Sequence, residues 1–191
     1  MRRRMMAVLF FIALFAFAPA VMAAETYAID PVHSTVIFRV KHLGVGYLYG
    51  RFNDISGTIR FDEANPAKSS VEVTVKVASV DTNDEKRDKH LLSPDFFNAK
   101  QFPVIRFESA SVKAVGGDLY EVSGNMTIHG ITKPITVKMT RIGAGKDPWG
   151  NYRMGFEGVF SVKRSDFGIR YMPQGIGDDV LITLSVEAIR K

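Results

Sequence analysis

Apolar and polar residues alternate strictly in VEVTVKV, residues 71–77, where valine occupies every second position. The same period of two recurs in ITVKMT, residues 135–140, and in ITLSVEA, residues 182–188. Successive side chains of a β-strand point to opposite faces, so this period predicts strands with one apolar face and one wet face. Such strands are typical of antiparallel sheets rather than of parallel sheets covered by helices.

Weaker signals of the same kind extend the strand pattern over most of the chain. Further strands are expected at residues 36–41, 58–62, 104–112, 119–129 and 155–162. Seven or eight evenly spaced strands fit either a sandwich or a closed barrel. A closed barrel removes exposed edges, and with eight strands its interior can just hold one small ligand. The strand pattern by itself leaves both architectures open.

One segment interrupts the strands. Thr82 is followed three positions later by Glu85, which is the form of a capping box and predicts a helix to about Leu92. The pair at 93–94, Ser then Pro, suggests a second helical start. We therefore predict a short helical segment near residues 84–98.

The first 23 residues have the order of a secretory signal peptide. Three arginines at 2–4 precede an apolar run at 5–18, and small residues end the segment at Ala23. The run is shorter than the roughly 20 residues that a membrane span needs, which disfavours an uncleaved anchor. We expect residues 1–23 to be removed, residues 24–191 to form a single domain, and no membrane span to remain after cleavage.

Charge and cysteine content narrow the function classes. The leader carries three of the 25 Lys and Arg residues and none of the 20 acidic ones, so the remaining chain has a formal net charge of about +2. This small net positive charge disfavours a nucleic-acid-binding role, which requires a basic stripe on the folded domain. The chain has no cysteine, which removes thiol nucleophiles and thiolate metal ligands.

The sequence contains no recognisable catalytic or metal motif. Its four histidines are far apart in sequence, and none lies in the His-Glu-x-x-His pattern of zinc proteases. No Gly-x-Ser-x-Gly nucleophile elbow is present, although a Ser-His-Asp triad could still form in space. We predict no catalytic residue and no metal site.

Several short motifs follow one another in a definite order. They are IDPVHS at 29–34, FRVKHLG at 38–44, LYGRF at 48–52, SVDTN at 79–83 with RDKHL at 87–91, FPV at 102–104, GITKP at 130–134, DPWG at 147–150 and DFG at 166–168. In this order they resemble the YceI family of lipocalin-like, polyisoprenoid-binding periplasmic proteins. The resemblance runs from about Tyr27 to the C-terminus.

The resemblance implies an eight-stranded antiparallel lipocalin-like barrel with a helix at one end. It also implies a periplasmic location, a homodimer, and an apolar tunnel for a long-chain isoprenoid or fatty lipid. In this interpretation the protein is a carrier with no cofactor beyond a non-covalent polyprenyl or quinone-type lipid. A secreted hydrolase, and a stress-related structural or interaction module with a filled core, are the alternatives.

The candidate site residues are apolar and most lie on an alternating face. The predicted tunnel lining is Val36, Phe38, Val40, Phe61, Val73, Val75, Phe107, Ile128, Val137, Phe156 and Leu184. Four methionines, Met126, Met139, Met154 and Met172, would suit an irregular lining because the thioether side chain is adaptable, but they could equally pack a solid core. On the predicted helix, Arg87 and His90 are candidate contacts for a lipid head group, and a solvated helix face is the favoured alternative for them.

Overall fold

Eleven β-strands and one short α-helix make up the fold of the computed structural model, which describes residues 24–191. The predicted signal peptide at residues 1–23 lies outside the described residues. The elements are β1 (Glu25–Ile29), β2 (Thr35–His42), β3 (Gly46–Phe52), β4 (Ile55–Phe61), β5 (Ser70–Lys76), β6 (Val80–Asp81), α1 (Glu85–Leu91), β7 (Val104–Gly116), β8 (Leu119–Ile128), β9 (Ile131–Lys146), β10 (Tyr152–Lys163) and β11 (Ile176–Arg190).

The strands close into a barrel because the last strand pairs with the first two. One half of β11 pairs with β1, where Ala188 lies opposite Ile29, and the other half pairs with β2, where Ser185 lies opposite Thr35. All pairings between neighbours are antiparallel, and β1 also pairs with β4. The predicted eight-stranded antiparallel barrel is confirmed.

The barrel has eight strand positions around its circumference. Three of these positions are each occupied by two strands separated by a break, which gives eleven strands in total. The pairs β1 and β2, β3 and β4, and β5 and β6 each occupy one position around the barrel. Two of the breaks lie side by side, since the amide of Asn53 donates to the carbonyl of Ser79, and the amide of Asp54 donates to Ser79 Oγ. These hydrogen bonds satisfy the backbone groups that the interrupted ladder leaves unpaired.

The helix begins two positions later than the capping box predicts. Its N-cap is Asp84, whose Oδ1 accepts a hydrogen bond from the amide of Arg87 at 2.8 Å. Thr82 instead donates through its hydroxyl to Asp88, 2.6 Å away. The predicted second start at 93–94 is not helical: residues 92–102 are turns, held by bonds such as Phe97 N to the carbonyl of Leu91.

The segment 85–102, here called the cap, covers one end of the barrel through its aromatic rings. Phe97 packs edge-on against Phe52 of β3, and Phe102 packs against His129 in the turn after β8, with ring centroids 5.7 and 4.8 Å apart. Phe96 contacts Tyr171 in the loop before β11. The cap therefore bridges the strand positions between β6 and β7, which do not pair with each other.

An aromatic trio lies towards the opposite end. The rings of Phe61, Tyr120 and Phe156 pack edge-to-face, with centroids 5.5 to 6.1 Å apart. Outside the trio, Arg141 lies over the Phe61 ring and pairs with Glu63 and Asp118. The two ends of the barrel are thus built differently, one from strand residues and one from the cap.

Among residues 24–191, no helix combines the length and the apolar character that crossing a membrane requires.

Candidate functional site

The interior of the barrel contains an apolar cavity of about 220 Å³. Alternate residues of β2, β5, β7, β8, β9, β10 and β11 point into it, as the period of two requires. Its wall is almost wholly aliphatic and aromatic. Such a wall offers dispersion contacts and almost no hydrogen-bonding group, so it suits a hydrocarbon chain and disfavours a polar solute.

The exposure of the inward-facing residues of β11 shows which part of the barrel is hollow. Val186 and Ala188 face inward and are buried, at 6% and 0% exposure, and of the two only Val186 borders the cavity. Val180, Ile182 and Leu184 also face inward, yet they are only partly buried. Inward residues stay accessible where they face a hollow, so the half of the barrel next to the cap is open inside and the other half is filled.

All eleven residues of the predicted lining lie on the cavity wall. Two of the four candidate methionines, Met126 and Met139, also lie there. Met154 is buried away from the cavity, and Met172 is 44% exposed on the outer surface. The period of two therefore located the wall, while the contact of these residues with a ligand stays a prediction.

Sequence reasoning missed the part of the wall that comes from irregular segments. Leu91, Phe96 and Phe97 reach the cavity from the cap, and Phe167 and Ile169 reach it from the turn after β10. Neither the short helix that ends at Leu91 nor the turns have a period of two, so no alternation marks these residues. The available signal was composition, because large apolar residues concentrated in a turn-rich segment need somewhere to pack.

Arg164 is the one buried charged side chain on the wall within the described part of the chain; it is 8% exposed. Its guanidinium donates to the carbonyls of Ile169, Ile176 and Gly177, at 2.9 to 3.1 Å. Burial lowers the pKa of Arg164, and the nearby carboxylate of Asp178 opposes that shift. The side chain thus ties the loop before β11 to the barrel and places a positive charge at the cap end of the cavity.

The two candidate head-group residues lie on the cap but not on the cavity wall. Arg87 is held by Thr82: its Nε donates to the hydroxyl at 2.7 Å and its Nη2 donates to the carbonyl at 2.6 Å. His90 contacts Asp95 through Nε2 at 2.9 Å, and its ring packs against Phe96 and Tyr171. Both residues organise the cap, and their contact with a head group stays a prediction.

A second polar cluster lies outside the barrel wall. The side chains of Asp30, His33 and Glu187 bring their potential ligand atoms within 4.8 Å of one another. Arg153 donates to both carboxylates and to Asp147. The guanidinium therefore already supplies the positive charge that a metal would bring, and we read the cluster as an ion-pair network.

This network changes the acidity of its members. Hydrogen bonds from His33 and Arg153 lower the pKa of Asp30 to about 2. The pKa of Arg153 is raised by its bonds to Asp147, Asp30 and Glu187. The network joins the loop between β1 and β2 to the turn between β9 and β10.

A closed antiparallel barrel with an apolar interior cavity and a helical cap places the protein in the class of lipocalin-like barrels. Comparison with known families is specific: the model of the YceI-like domain matches residues 27–188. The chain belongs to the YceI family.

Relatives and solved structures agree with this assignment. A UPF0312 protein of Pseudomonas aeruginosa (strain LESB58) is 50% identical over 172 residues, which cover 89% of each chain. The crystal structure of Burkholderia cenocepacia BcnA is 29% identical and superposes with a TM-score of 0.76, covering 83% of this chain and 98% of that one. A polyisoprenoid binding domain from Saccharophagus degradans shares the fold, with a TM-score of 0.67 at 18% identity, over 89% of this chain and 100% of that one.

Proposed function

We propose that this protein binds a long-chain isoprenoid or a similar amphiphilic lipid in the barrel cavity and carries it through the periplasm. The observation that carries the proposal is the apolar cavity itself, with its wall of aliphatic and aromatic side chains. Family membership supports the ligand class, because the Saccharophagus degradans protein of the same fold is a polyisoprenoid binding domain. The predicted signal peptide supports the location.

The energetics of such a site follow from its surface chemistry. Each buried methylene contributes about 0.8 kcal/mol, so an isoprene unit of five carbons contributes roughly 4 kcal/mol before costs. Ordering a flexible chain takes back a large share of this free energy. A tail of several units can still bind tightly without a charged clamp, which matches a wall that has almost no polar groups.

The two ends of the barrel suggest an orientation for the lipid. The trio of Phe61, Tyr120 and Phe156 fills the barrel at one end. The hollow part of β11 and the buried charge of Arg164 lie at the other end, next to the cap. In our proposal the hydrocarbon tail points towards the trio and the polar head lies at the cap.

Native mass spectrometry of the protein, purified without detergent from a periplasmic extract, tests the proposal directly. We expect a stoichiometric adduct whose mass, after solvent extraction, fits an isoprenoid or another long-chain lipid. A lipid-free mass, together with no thermal shift on adding quinones or polyprenyl phosphates, would refute it. Recovery of the protein from the cytoplasmic fraction alone would refute the periplasmic role.

A pair of tryptophan substitutions tests the cavity as the binding site. Leu184→Trp places a large ring inside the hollow half of the barrel, whereas Val159→Trp places the same ring on the outer face, where Val159 is 54% exposed. We expect Leu184→Trp to lower the lipid-bound fraction severalfold and Val159→Trp to leave it unchanged. Equal loading of the two variants, both folded by circular dichroism, would place the lipid elsewhere.

A further inference from the structure

Exposed apolar side chains are concentrated at one end of the barrel. Of the twelve large apolar side chains exposed in residues 24–191, six lie on the β2–β3 hairpin and on the loop before β11. We call them the tip surface: Leu43, Val45, Tyr47, Tyr49, Tyr171 and Met172. The two segments are joined, since the amide of Leu43 donates to the carbonyl of Gly175 at 2.7 Å. The two segments that carry these side chains therefore lie side by side at this end of the barrel.

The degree of exposure at the tip is high for residues of this type. Val45 is 89% exposed, Tyr47 57% and Tyr49 58%. Leu43 and Met172 have φ angles of +49° and +50°, which bulky side chains rarely adopt. Residues held in such conformations with apolar groups turned to solvent commonly mark a contact surface.

The two segments that carry the tip surface contain only cationic charges. Of the acids that flank them, Asp81 lies opposite Arg51, Asp178 is bonded to Ser165 and Asp179 is paired with Lys163. Residues 34–52 and 168–177 contain Arg39, Lys41, Arg51 and Arg170 but no aspartate or glutamate. Along the outer face of the hairpin the register places Lys41 opposite Tyr47 and Arg39 opposite Tyr49. The guanidinium of Arg39 also lies over the Tyr47 ring, 4.2 Å from its centroid. Apolar side chains, tyrosines and cations are thus interspersed over the tip surface.

We propose that the tip surface docks on an anionic phospholipid membrane. Tyrosine is enriched at membrane interfaces, apolar side chains enter the boundary of the acyl region, and each nearby Lys or Arg contributes about 1 kcal/mol of attraction to an anionic surface. The charge complementarity favours this partner over a second copy of the chain. A two-fold contact through the tip would bring together two cationic patches, which repel each other.

Docking at this end would bring the cavity to the membrane. Val40, Val180 and Ile176 lie at the root of the hairpin and line the cavity. A lipid leaving the bilayer at the tip would meet the hollow half of the barrel first. The transfer of lipid rests on the proposed carrier function, whereas the docking itself does not require any ligand in the cavity.

Vesicle flotation of the lipid-free protein tests the docking. The probes are vesicles of pure phosphatidylcholine and vesicles of equal parts phosphatidylcholine and phosphatidylglycerol. We expect flotation with the anionic vesicles only, weakening as salt is raised. Absence of flotation with the anionic vesicles would overturn the inference.

Two matched pairs of variants locate the binding surface. Val45→Asp changes the tip, and Val32→Asp changes an equally accessible valine, 81% exposed, in the loop that contacts Glu187. Glu187 lies eleven positions along β11 from Ile176, which pairs with the hairpin. The loop is therefore on the order of 35 Å from the tip surface. Lys41→Glu and Lys146→Glu form the second pair, because both lysines are exposed and Lys146 ends β9 at the far end.

The two tip variants should weaken vesicle binding by about tenfold or more, and the two controls by less than about twofold. Equal effects within a pair would overturn the inference. A second result would also overturn it: the wild-type protein is a dimer, Val45→Asp makes it a monomer, and neither binds vesicles. The partner of the tip surface would then be a second copy of the chain. If the protein floats with vesicles but yields no lipid adduct, the carrier function is refuted and the docking stands. If it yields a lipid adduct but does not float, the docking is refuted and the carrier function stands.

Discussion

Single charged residues connect loops and turns of the barrel that are not held by strand pairing. Arg164 fastens the loop before β11 through three backbone carbonyls. Arg153 joins Asp30, Asp147 and Glu187 from three separate segments. The carboxylate of Asp30 is only 10% exposed, whereas most ion pairs among residues 24–191 are well exposed. Buried and multiply bonded pairs matter more for stability than exposed ones, since water screens the latter.

Replacing Asp30 by Asn should therefore destabilise the fold in a pH-dependent way. The pKa of Asp30 is about 2 in the folded protein and about 3.9 when unfolded, so its stabilisation is present above about pH 4 and is lost as the pH falls towards 2. We expect Asp30→Asn to lower the free energy of unfolding by about 2 kcal/mol near neutral pH. Urea unfolding at a series of pH values measures the difference.

The exposed pair of Asp54 and Lys76 provides the control, with 41% and 64% side-chain exposure. Asp54→Asn should cost less than about 0.5 kcal/mol at any pH. If Asp30→Asn costs no more than this control, or if its deficit persists unchanged at about pH 2, the ion-pair network does not stabilise the fold in the way we describe.

At the scale of elements, the barrel combines long regular strands with local irregularities that let it close. Where β7 faces β8 the register shifts between Ser109 and Ser111. Gly124 of β8 lies directly opposite, paired with Ser109. A β-carbon at Gly124 would overlap the carbonyl oxygen of Glu108 and the ring of Phe107. The close approach of two backbones at this bulge therefore requires glycine.

Gly124→Ala should lower the free energy of unfolding by about 1–3 kcal/mol, because the neighbouring backbone must move. Gly145→Ala on β9 is the matched control: a β-carbon there meets nothing within 4 Å. We expect the control to be neutral or slightly stabilising, since alanine reduces the freedom of the unfolded chain. Urea unfolding with an unchanged m-value measures both, and similar losses would show that the bulge tolerates a side chain.

At the scale of the whole molecule, the barrel is half filled and half hollow. A hollow apolar interior forgoes dispersion contacts that a packed core would make. A bound hydrocarbon chain would restore those contacts, so the ligand would act as part of the core. Stability should then depend on whether the protein carries its lipid.

Extraction of the lipid should lower the melting temperature, and re-addition should restore it. A ligand at a hundredfold excess over its Kd contributes about 2.7 kcal/mol, which corresponds to a shift of about 5–10 °C for a domain of this size. Differential scanning calorimetry before and after extraction measures the shift. Leu184→Trp should reduce it, and a melting temperature insensitive to extraction and to added quinones would contradict a ligand-completed core.

The sequence alone determined the strands and their faces, because alternation with a period of two is a local property of the chain. Most of the eleven predicted lining residues follow from that rule, the choice of face in three strands was open, and all eleven lie on the wall. The resemblance to the YceI family supplied the barrel in place of a sandwich, which periodicity alone left open.

Only the tertiary structure decided how the barrel closes, where it is hollow and what covers its ends. The closure depends on β11 pairing with both β1 and β2, across more than 130 residues of sequence. The contribution of Phe96 and Phe97 to the wall depends on turns without a period. The tip surface depends on two distant segments, residues 34–52 and 168–177, meeting at one end of the barrel. Such contacts are set by the packing of the whole chain, and no local pattern of residues encodes them.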